Sequence, residues 1–244
     1  MRGRRIERIM LVLPPTIQAK TVTKRIAPPL GSAWIAAVLE GDYDVRILDA
    51  SMEGFDNEVE LDEGKIQFGL SWEEIRARIE EFVPDVVGVS TMGTDQALNA
   101  HKLFNLVKEI DKDIITIAGG VYPTTQPERA LSDKALDYVV LGEGEDSVRE
   151  LLAGISSGGD LTSIDGIGWR EDGRLRITPK TGFIQDLDRL PFPARHKLRM
   201  DLYSYVKLAY RFGPRRRPFT SVFTSRACPA RCVFCSDHLI WGKR

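Results

Sequence analysis

The sequence predicts an α/β protein built on a doubly wound parallel sheet. Two observations carry this. Short runs that are apolar at nearly every position recur along the first 155 residues, and segments with helical spacing separate them. A strand without alternation is buried on both faces, which requires helices above and below the sheet. With 43% hydrophobic residues, the 244-residue chain can bury a core of that kind.

Residues 8–13 form the first apolar run and stop at Pro14-Pro15, as a buried strand with an abrupt end would. Leu30, Ala33, Trp34, Ala37 and Val38 then recur at helical spacing before Gly41, which supplies a helix stop. Residues 45–49 read as a second strand. Ser71 with Glu74 makes a capping box ahead of Ile75, Ile79 and Phe82, so a helix starts there. Residues 85–90 give the next strand, and a helix burying Ala97, Ala100, Phe104 and Val107 follows. Residues 114–118 and 138–141 are two further apolar runs, with a short helix over 146–152. The order of elements fits a flavodoxin-like (Rossmann-type) sheet, whose ligands sit beyond the carboxyl ends of the strands. Candidate ligand loops are residues 14–29, 50–70, 91–95, 119–125 and 142–145. The acidic stretch 53–63 reads first as a solvated loop, with a cover over a ligand as its second reading.

Beyond Gly158-Gly159 the pattern changes. Residues 165–170 and 174–178 flank Glu171-Asp172-Gly173 and predict a β-hairpin, a small connector. A linker with Arg215-Arg216-Arg217 follows, a solvated charge run, and residues 219–224 read as a new strand. The expected organisation is a domain over 1–155, a connector and linker over 156–217, and the start of a second, truncated domain over 218–244. The chain ends nine residues after Cys235, too soon for that second domain to be complete.

Lys and Arg number 34 against 35 Asp and Glu, a formal charge of -1, so nothing in the bulk charge collects nucleic acid or anionic membrane. The apolar run at residues 9–13 is too short for a signal peptide or a membrane span, and the chain reads as cytoplasmic. All three cysteines fall in one eight-residue window after 227 residues with none. In a reducing compartment such clustering marks a metal or redox site rather than a disulfide framework. The spacing Cys228-x3-Cys232-x2-Cys235 lets one loop wrap three sulfurs around a single cluster. Zinc with His238 as a fourth ligand is the competing reading of the same spacing.

The cysteine spacing, with Phe234 before the last cysteine and Thr224-Ser225-Arg226-Ala227 before the first, resembles the signature of the radical S-adenosylmethionine family. Ala227 departs from it, since the family pattern has glycine there. Pro28-Pro29-Leu30-Gly31, Pro84-Asp85-Val86-Val87-Gly88-Val89-Ser90 and Ala118-Gly119-Gly120-Val121-Tyr122-Pro123 resemble landmarks of its cobalamin-binding members. So do Asp137-Tyr138-Val139-Val140-Leu141-Gly142-Glu143-Gly144-Glu145 and Leu187-Asp188-Arg189-Leu190-Pro191-Phe192-Pro193-Ala194. The landmarks span nearly the whole chain.

This resemblance implies a 4Fe-4S cluster on Cys228, Cys232 and Cys235, with one open iron that chelates S-adenosylmethionine, and Phe234 beside that ligand. It implies cobalamin held by Ser90, Thr91, Gly93, Gly119, Gly120, Tyr122, Gly142, Glu143 and Gly144, over a partial (β/α) barrel. Read without the family, residues 142–145 are a plain turn before a helix, and Ser90, Thr91 and Thr94 are helix caps. The loop 14–29 holds no histidine, so cobalamin is expected without a protein ligand on cobalt; His101 and His196 read as packed or solvated.

The implied activity is reductive cleavage of S-adenosylmethionine to a 5'-deoxyadenosyl radical and methylation of an unactivated carbon, with cyclisation or rearrangement as the alternative outcome. A small-molecule or lipid-like substrate and an external electron donor such as flavodoxin or ferredoxin complete the scheme. The non-enzymatic reading is a cobalamin-binding module with a zinc clip. The short chain itself is expected not to turn over, with the segment 236–244 poorly anchored.

Overall fold

The computed structural model describes residues 4–91, 93–204, 220–230 and 232–242. In chain order the elements are β1 (Arg8–Leu13), β2 (Thr16–Ala19), α1 (Leu30–Leu39), β3 (Asp44–Asp49), α2 (Ala50–Glu53), β4 (Glu58–Leu61) and β5 (Lys65–Phe68). Then come α3 (Trp72–Phe82), β6 (Val86–Thr91), α4 (Ala97–Ile110), β7 (Ile115–Gly120), α5 (Val121–Thr125), α6 (Pro127–Leu131) and β8 (Tyr138–Val140). The chain continues through α7 (Glu145–Ser157), β9 (Ile167–Glu171), β10 (Arg174–Ile177), α8 (Met200–Tyr203) and α9 (Asp237–Trp241).

Five strands pair in parallel in the order β3-β1-β6-β7-β8. Counting these five alone, that is second, first, third, fourth, fifth, the flavodoxin-like order. Successive side chains of a strand point to opposite faces, and β1 shows what that does here. Met10 and Val12 pack into one apolar layer with Ile75, Ile79 and Phe82 of α3 and Leu103, Phe104 and Val107 of α4. Ile9 and Leu11 pack into the other layer with Ala36 and Leu39 of α1 and Leu151, Leu152 and Ile155 of α7. Each fully buried Leu or Ile contributes about 1.5–3 kcal/mol of hydrophobic stabilisation.

The start of α3 has the expected capping box. The Glu74 N–H donates to Ser71 Oγ at 3.2 Å, and the Ser71 N–H donates to Glu74 Oε2 at 2.8 Å. Helix α7 is longer than the predicted 146–152, running on until Gly158 closes it in the left-handed region at φ 68°.

The predicted hairpin forms as β9 and β10, and β9 pairs antiparallel with β8. It thereby extends the central sheet to seven strands instead of standing beside it. Two stretches expected as loops are structured. Strands β2, β5 and β4 make a second, three-stranded antiparallel sheet, so the acidic stretch is not a solvated loop. Its outer strand β4 is exposed at all four positions, and β5 buries Ile66 and Phe68. Asn99 ties this sheet to the domain: its Nδ2 donates to Pro15 O at 2.6 Å and to Gln67 Oε1 at 3.1 Å. The stretch after Gly120 is likewise helical rather than loop, as α5.

Residues 220–224, expected as a strand, belong to no strand, because no described neighbour offers them a ladder; Phe219 and the arginines 215–217 lie outside the described residues. Val222 and Phe223 are exposed, as expected. Among the described residues no helix is long and apolar enough to cross a membrane.

Candidate functional site

The carboxyl ends of the parallel strands place most of the predicted residues on one edge. Ser90 and Thr91 end β6, and Gly119 and Gly120 end β7 beside them, with Ser90 in register with Gly119 and Thr91 with Gly120. Gly93 follows β6, and Gly142 to Gly144 follow β8. A side chain at Gly119 would meet no described atom nearer than Val140 O at 4.0 Å. That open backbone is what a large flat ligand with amide substituents needs in order to approach a strand end.

The other positions are less free. Thr91 is fully buried, and its Oγ1 donates to Gly119 O at 3.3 Å. Gly120 sits at φ 98°, and a Cβ there would lie 2.3 Å from Thr91 O, so its glycine serves the fit of β7 against β6. Gly142, at φ 64°, accommodates the backbone of α9, since a Cβ would lie 3.2 Å from Ile240 O. A Cβ at Gly144 would lie 3.2 Å from Val140 Cγ1, tighter than ordinary contact, and 3.4 Å from Ile35 Cδ1.

Tyr122 is 2% exposed and turns its ring into the core, with its hydroxyl 2.9 Å from His101 Nε2. The other ring nitrogen of His101 lies 2.8 Å from Asp133 Oδ2. Both nitrogens are therefore engaged, and His101 is packed as the sequence suggested. His196 pairs with Glu40 at 2.9 Å. The stretch between β1 and α1, including β2, contains no histidine.

The three cysteines are exposed. A turn links them, with the Cys235 N–H donating to Cys232 O at 3.1 Å, and the Asp237 N–H reaches Cys235 Sγ at 3.5 Å. Among the described residues no three Cys, His, Asp or Glu side chains converge on a metal position, so neither the cluster geometry nor the alternative zinc set with His238 is preassembled. The donors nonetheless suit a soft-metal cluster: three accessible sulfurs on one short loop, with a backbone N–H on one of them. Phe234 stands exposed beside the last of them.

Glu143 holds a position the sequence did not reveal. It is 2% exposed, its Oε2 accepts the Ile184 N–H at 2.8 Å, and its Oε1 lies 3.0 Å from Arg226 Nη1. Arg226 also contacts Glu145, and the Trp34 and Trp241 rings stack on its guanidinium at 4.9 Å each. The described part of the segment expected to be poorly anchored, residues 236–242, is thus held through Trp241. Ile240 of α9 is buried, and Phe223 packs edge-on against Trp34 at 5.7 Å. No local spacing pattern announces this: Glu143 and Arg226 are 83 residues apart.

An open sheet with free backbone at Gly119 on its carboxyl edge, and the approach to the cysteines anchored beside it through Arg226, defines a doubly wound α/β protein with a candidate ligand edge. Residues 19–152, more than half of the chain, match the family model described as "B12 binding domain". The chain is 34% identical over 242 residues to "Uncharacterized methyltransferase PH0819" of Pyrococcus horikoshii, covering 98% of this chain and 47% of that protein. It is 33% identical to cytidylyl-2-hydroxyethylphosphonate methyltransferase of Streptomyces wedmorensis, covering 99% of this chain and 50% of that one. The chain spans about half the length of these curated relatives. Its fold matches the cobalamin-dependent S-adenosylmethionine radical enzyme OxsB, solved with aqua-cobalamin and S-adenosylmethionine, at a TM-score of 0.69 and 19% identity over 98% of this chain and 29% of that one. The chain belongs to the B12-binding domain family.

Proposed function

We propose that this chain supplies the cobalamin-binding domain and the cluster loop of a radical S-adenosylmethionine methyltransferase acting on an unactivated carbon. The observation that carries the reading is that Arg226, two residues before the Cys228-x3-Cys232-x2-Cys235 loop, is bound to Glu143 and Glu145 at the carboxyl edge of a B12-binding domain. When bound, the cluster supplies the electron that cleaves S-adenosylmethionine to a 5'-deoxyadenosyl radical, and cobalamin supplies the methyl group. The roles of the chain's own residues follow from chemistry and placement. Cys228, Cys232 and Cys235 hold three irons as thiolates, leaving one iron open. Phe234 covers the S-adenosylmethionine side of the loop. Ser90 and the backbone at Gly93 and Gly119 would receive the cobalamin ring and its amides, while Gly120, Gly142 and Gly144 would shape the edge by letting neighbouring chain pack close. Thr91, Tyr122 and Glu143 contribute through backbone, because their side chains are engaged within the protein.

Cobalamin would be held at the strand ends without histidine on cobalt, a reading supported by His101, whose ring nitrogens are both engaged within the protein. The substrate is a small or lipid-like molecule, and the electron comes from an external donor such as flavodoxin or ferredoxin.

Anaerobic reconstitution with iron and sulfide, together with hydroxocobalamin titration, tests the binding half of this reading. Expected are about four irons per chain, lost on replacing all three cysteines by Ala, and one cobalamin retained in that variant. Stoichiometric zinc in a colourless protein contradicts it. For the activity, a protein spanning the full length of the relatives is expected to release 5'-deoxyadenosine from S-adenosylmethionine under dithionite, and no release refutes the radical step.

A further inference from the structure

Arg226 lies two residues before Cys228, on the approach to the cysteine loop. Its side chain is 3% exposed, and those of Glu143 and Glu145 are 0% and 6% exposed. One guanidinium therefore bridges two buried carboxylates, through Nη1 to Glu143 at 3.0 Å and Nη2 to Glu145 at 2.5 Å. Burying charge is costly unless it is paired and hydrogen-bonded. The second carboxylate is offset by its place in the first turn of α7, at the positive end of the helix dipole, and the first by the Ile184 N–H. The Trp34 and Trp241 rings each lie 4.9 Å from the guanidinium carbon, within cation–π reach. A guanidinium suits this place better than an ammonium, because its separate nitrogens reach one carboxylate each while its carbon lies over the aromatic rings.

The cysteine loop itself has little else to fix it. Val233 and Phe234 are exposed, as are all three cysteines. Two residues of chain span at most about 7 Å, so Cys228 stays within that reach of a clamp built on the loop after β8. That loop belongs to the same sheet edge as Gly119 and Ser90. A second tie, Arg195 Nη2 to Ser221 O at 2.7 Å, holds the chain a few residues upstream.

We propose that Arg226 is a positioning residue: clamped by Glu143 and Glu145 against Trp34 and Trp241, it sets where the cysteine loop stands relative to the bound cobalamin. The proposal rests on the cobalamin reading above, but not on the cluster reading.

The test uses this chain with Cys232 and Cys235 replaced by Ala and a nitroxide on Cys228, the remaining cysteine. Two quantities are read: nitroxide mobility in the cofactor-free chain, and the nitroxide-to-cobalt distance distribution after loading cob(II)alamin. With Arg226 intact, a slow nitroxide and one narrow distance are expected. Arg226→Ala and Arg226→Lys are expected to give a faster nitroxide and a broad distribution, with cobalamin affinity by absorbance titration within about threefold of the parent. Because Arg226→Ala strands two buried carboxylates, the triple variant R226A/E143Q/E145Q is included and should show the same broadening. An unchanged narrow distance in the triple variant overturns the proposal. So does loss of cobalamin affinity in step with the broadening, which would make Arg226 part of the domain's stability. A parent chain that takes up no cob(II)alamin defeats the cobalamin reading and the positioning claim together, while the mobility comparison still reports whether Arg226 holds the loop.

Discussion

Asp49, the last residue of β3, accepts the Tyr203 hydroxyl at 2.6 Å with Oδ2 and the Met52 N–H at 3.0 Å with Oδ1. The contact joins a strand end of the domain to the segment that leads toward the cysteines, 154 residues away. Tyr203 is 1% exposed and shares an apolar cluster with Ile26, Ala33, Met52, Phe68 and Leu198. Burial raises the Asp49 carboxyl to about 6, and the two donors oppose that only in part.

The sign of the resulting pH dependence follows from linkage. The folded state holds the Asp49 proton more tightly than the unfolded chain, whose carboxyl titrates near 4. Between those values the folded state carries the extra proton, so stability falls as pH rises from about 4 to about 6 and is flat above. At about 1.4 kcal/mol per unit, the loss is at most about 3 kcal/mol. Asp49→Asn cannot titrate. Urea midpoints measured from pH 4 to pH 7 should therefore show a falling contribution in the parent that is missing in the variant. Parallel profiles for the two proteins would refute this.

His101 bonds to Tyr122 and Asp133 through both ring nitrogens, so cob(II)alamin bound to this chain should show no nitrogen splitting from histidine in electron paramagnetic resonance. His101→Ala should leave that spectrum unchanged. Tyr122→Phe should cost about 1 kcal/mol of stability through the lost hydrogen bond. A nitrogen triplet that vanishes in the His101 variant would put the imidazole on cobalt.

At Gly120 the backbone conformation and the neighbouring strand both exclude a side chain. Its φ of 98° is one that L residues rarely adopt, and an added Cβ would meet Thr91 O at 2.3 Å. Gly120→Ala should thus lower stability by more than the ~1–3 kcal/mol typical of a strained backbone alone. It should weaken cobalamin binding too, because the ends of β6 and β7 must part. Gly31→Ala, where nothing lies within 4 Å of the added methyl, is the control and should change stability little. Equal melting temperatures for Gly120→Ala and the parent would contradict this account.

What the sequence made legible is what local pattern encodes. Four of the five parallel strands, β1, β6, β7 and β8, are largely apolar runs, and their alternation with helices predicts a parallel sheet, whereas the edge strand β3 leaves Asp44 and Arg46 exposed. The α3 cap was readable because Ser71 and Glu74 are three residues apart. The small sheet was not: β4 (Glu-Val-Glu-Leu) and β5 (Lys-Ile-Gln-Phe) do alternate, but each run is only four residues long and β4 is exposed throughout, so the acidic residues dominate its reading. The cysteine spacing showed the candidate cluster, whereas the clamp on its approach joins residue 226 to residues 143 and 145. Each partner was visible alone, as an arginine in the approach motif and a Glu pair flanking Gly144; only the fold brings them together.

The departure at Ala227 has a physical reading in the structure. Ala227 follows the clamp at Arg226 and precedes Cys228, and its φ is 75°, in the left-handed region that favours glycine. An L residue there pays roughly 1–2 kcal/mol in contact between Cβ and backbone. Glycine removes that strain but gains freedom in the undocked chain, worth up to about 1 kcal/mol. The net expectation for Ala227→Gly is about 0.5–1 kcal/mol in favour of the docked segment, a two- to fivefold shift in its local opening. The amides of Cys235 and Leu239, bonded to Cys232 O and Ser236 O, should then exchange with solvent two to five times more slowly. Amides of the central sheet, such as Val87, should be unaffected. Ala227→Val, with its branched side chain in the same region, should move the Cys235 and Leu239 amides the other way. Faster exchange at those two amides in the glycine variant would mean that the left-handed turn costs nothing here and that glycine only loosens the loop.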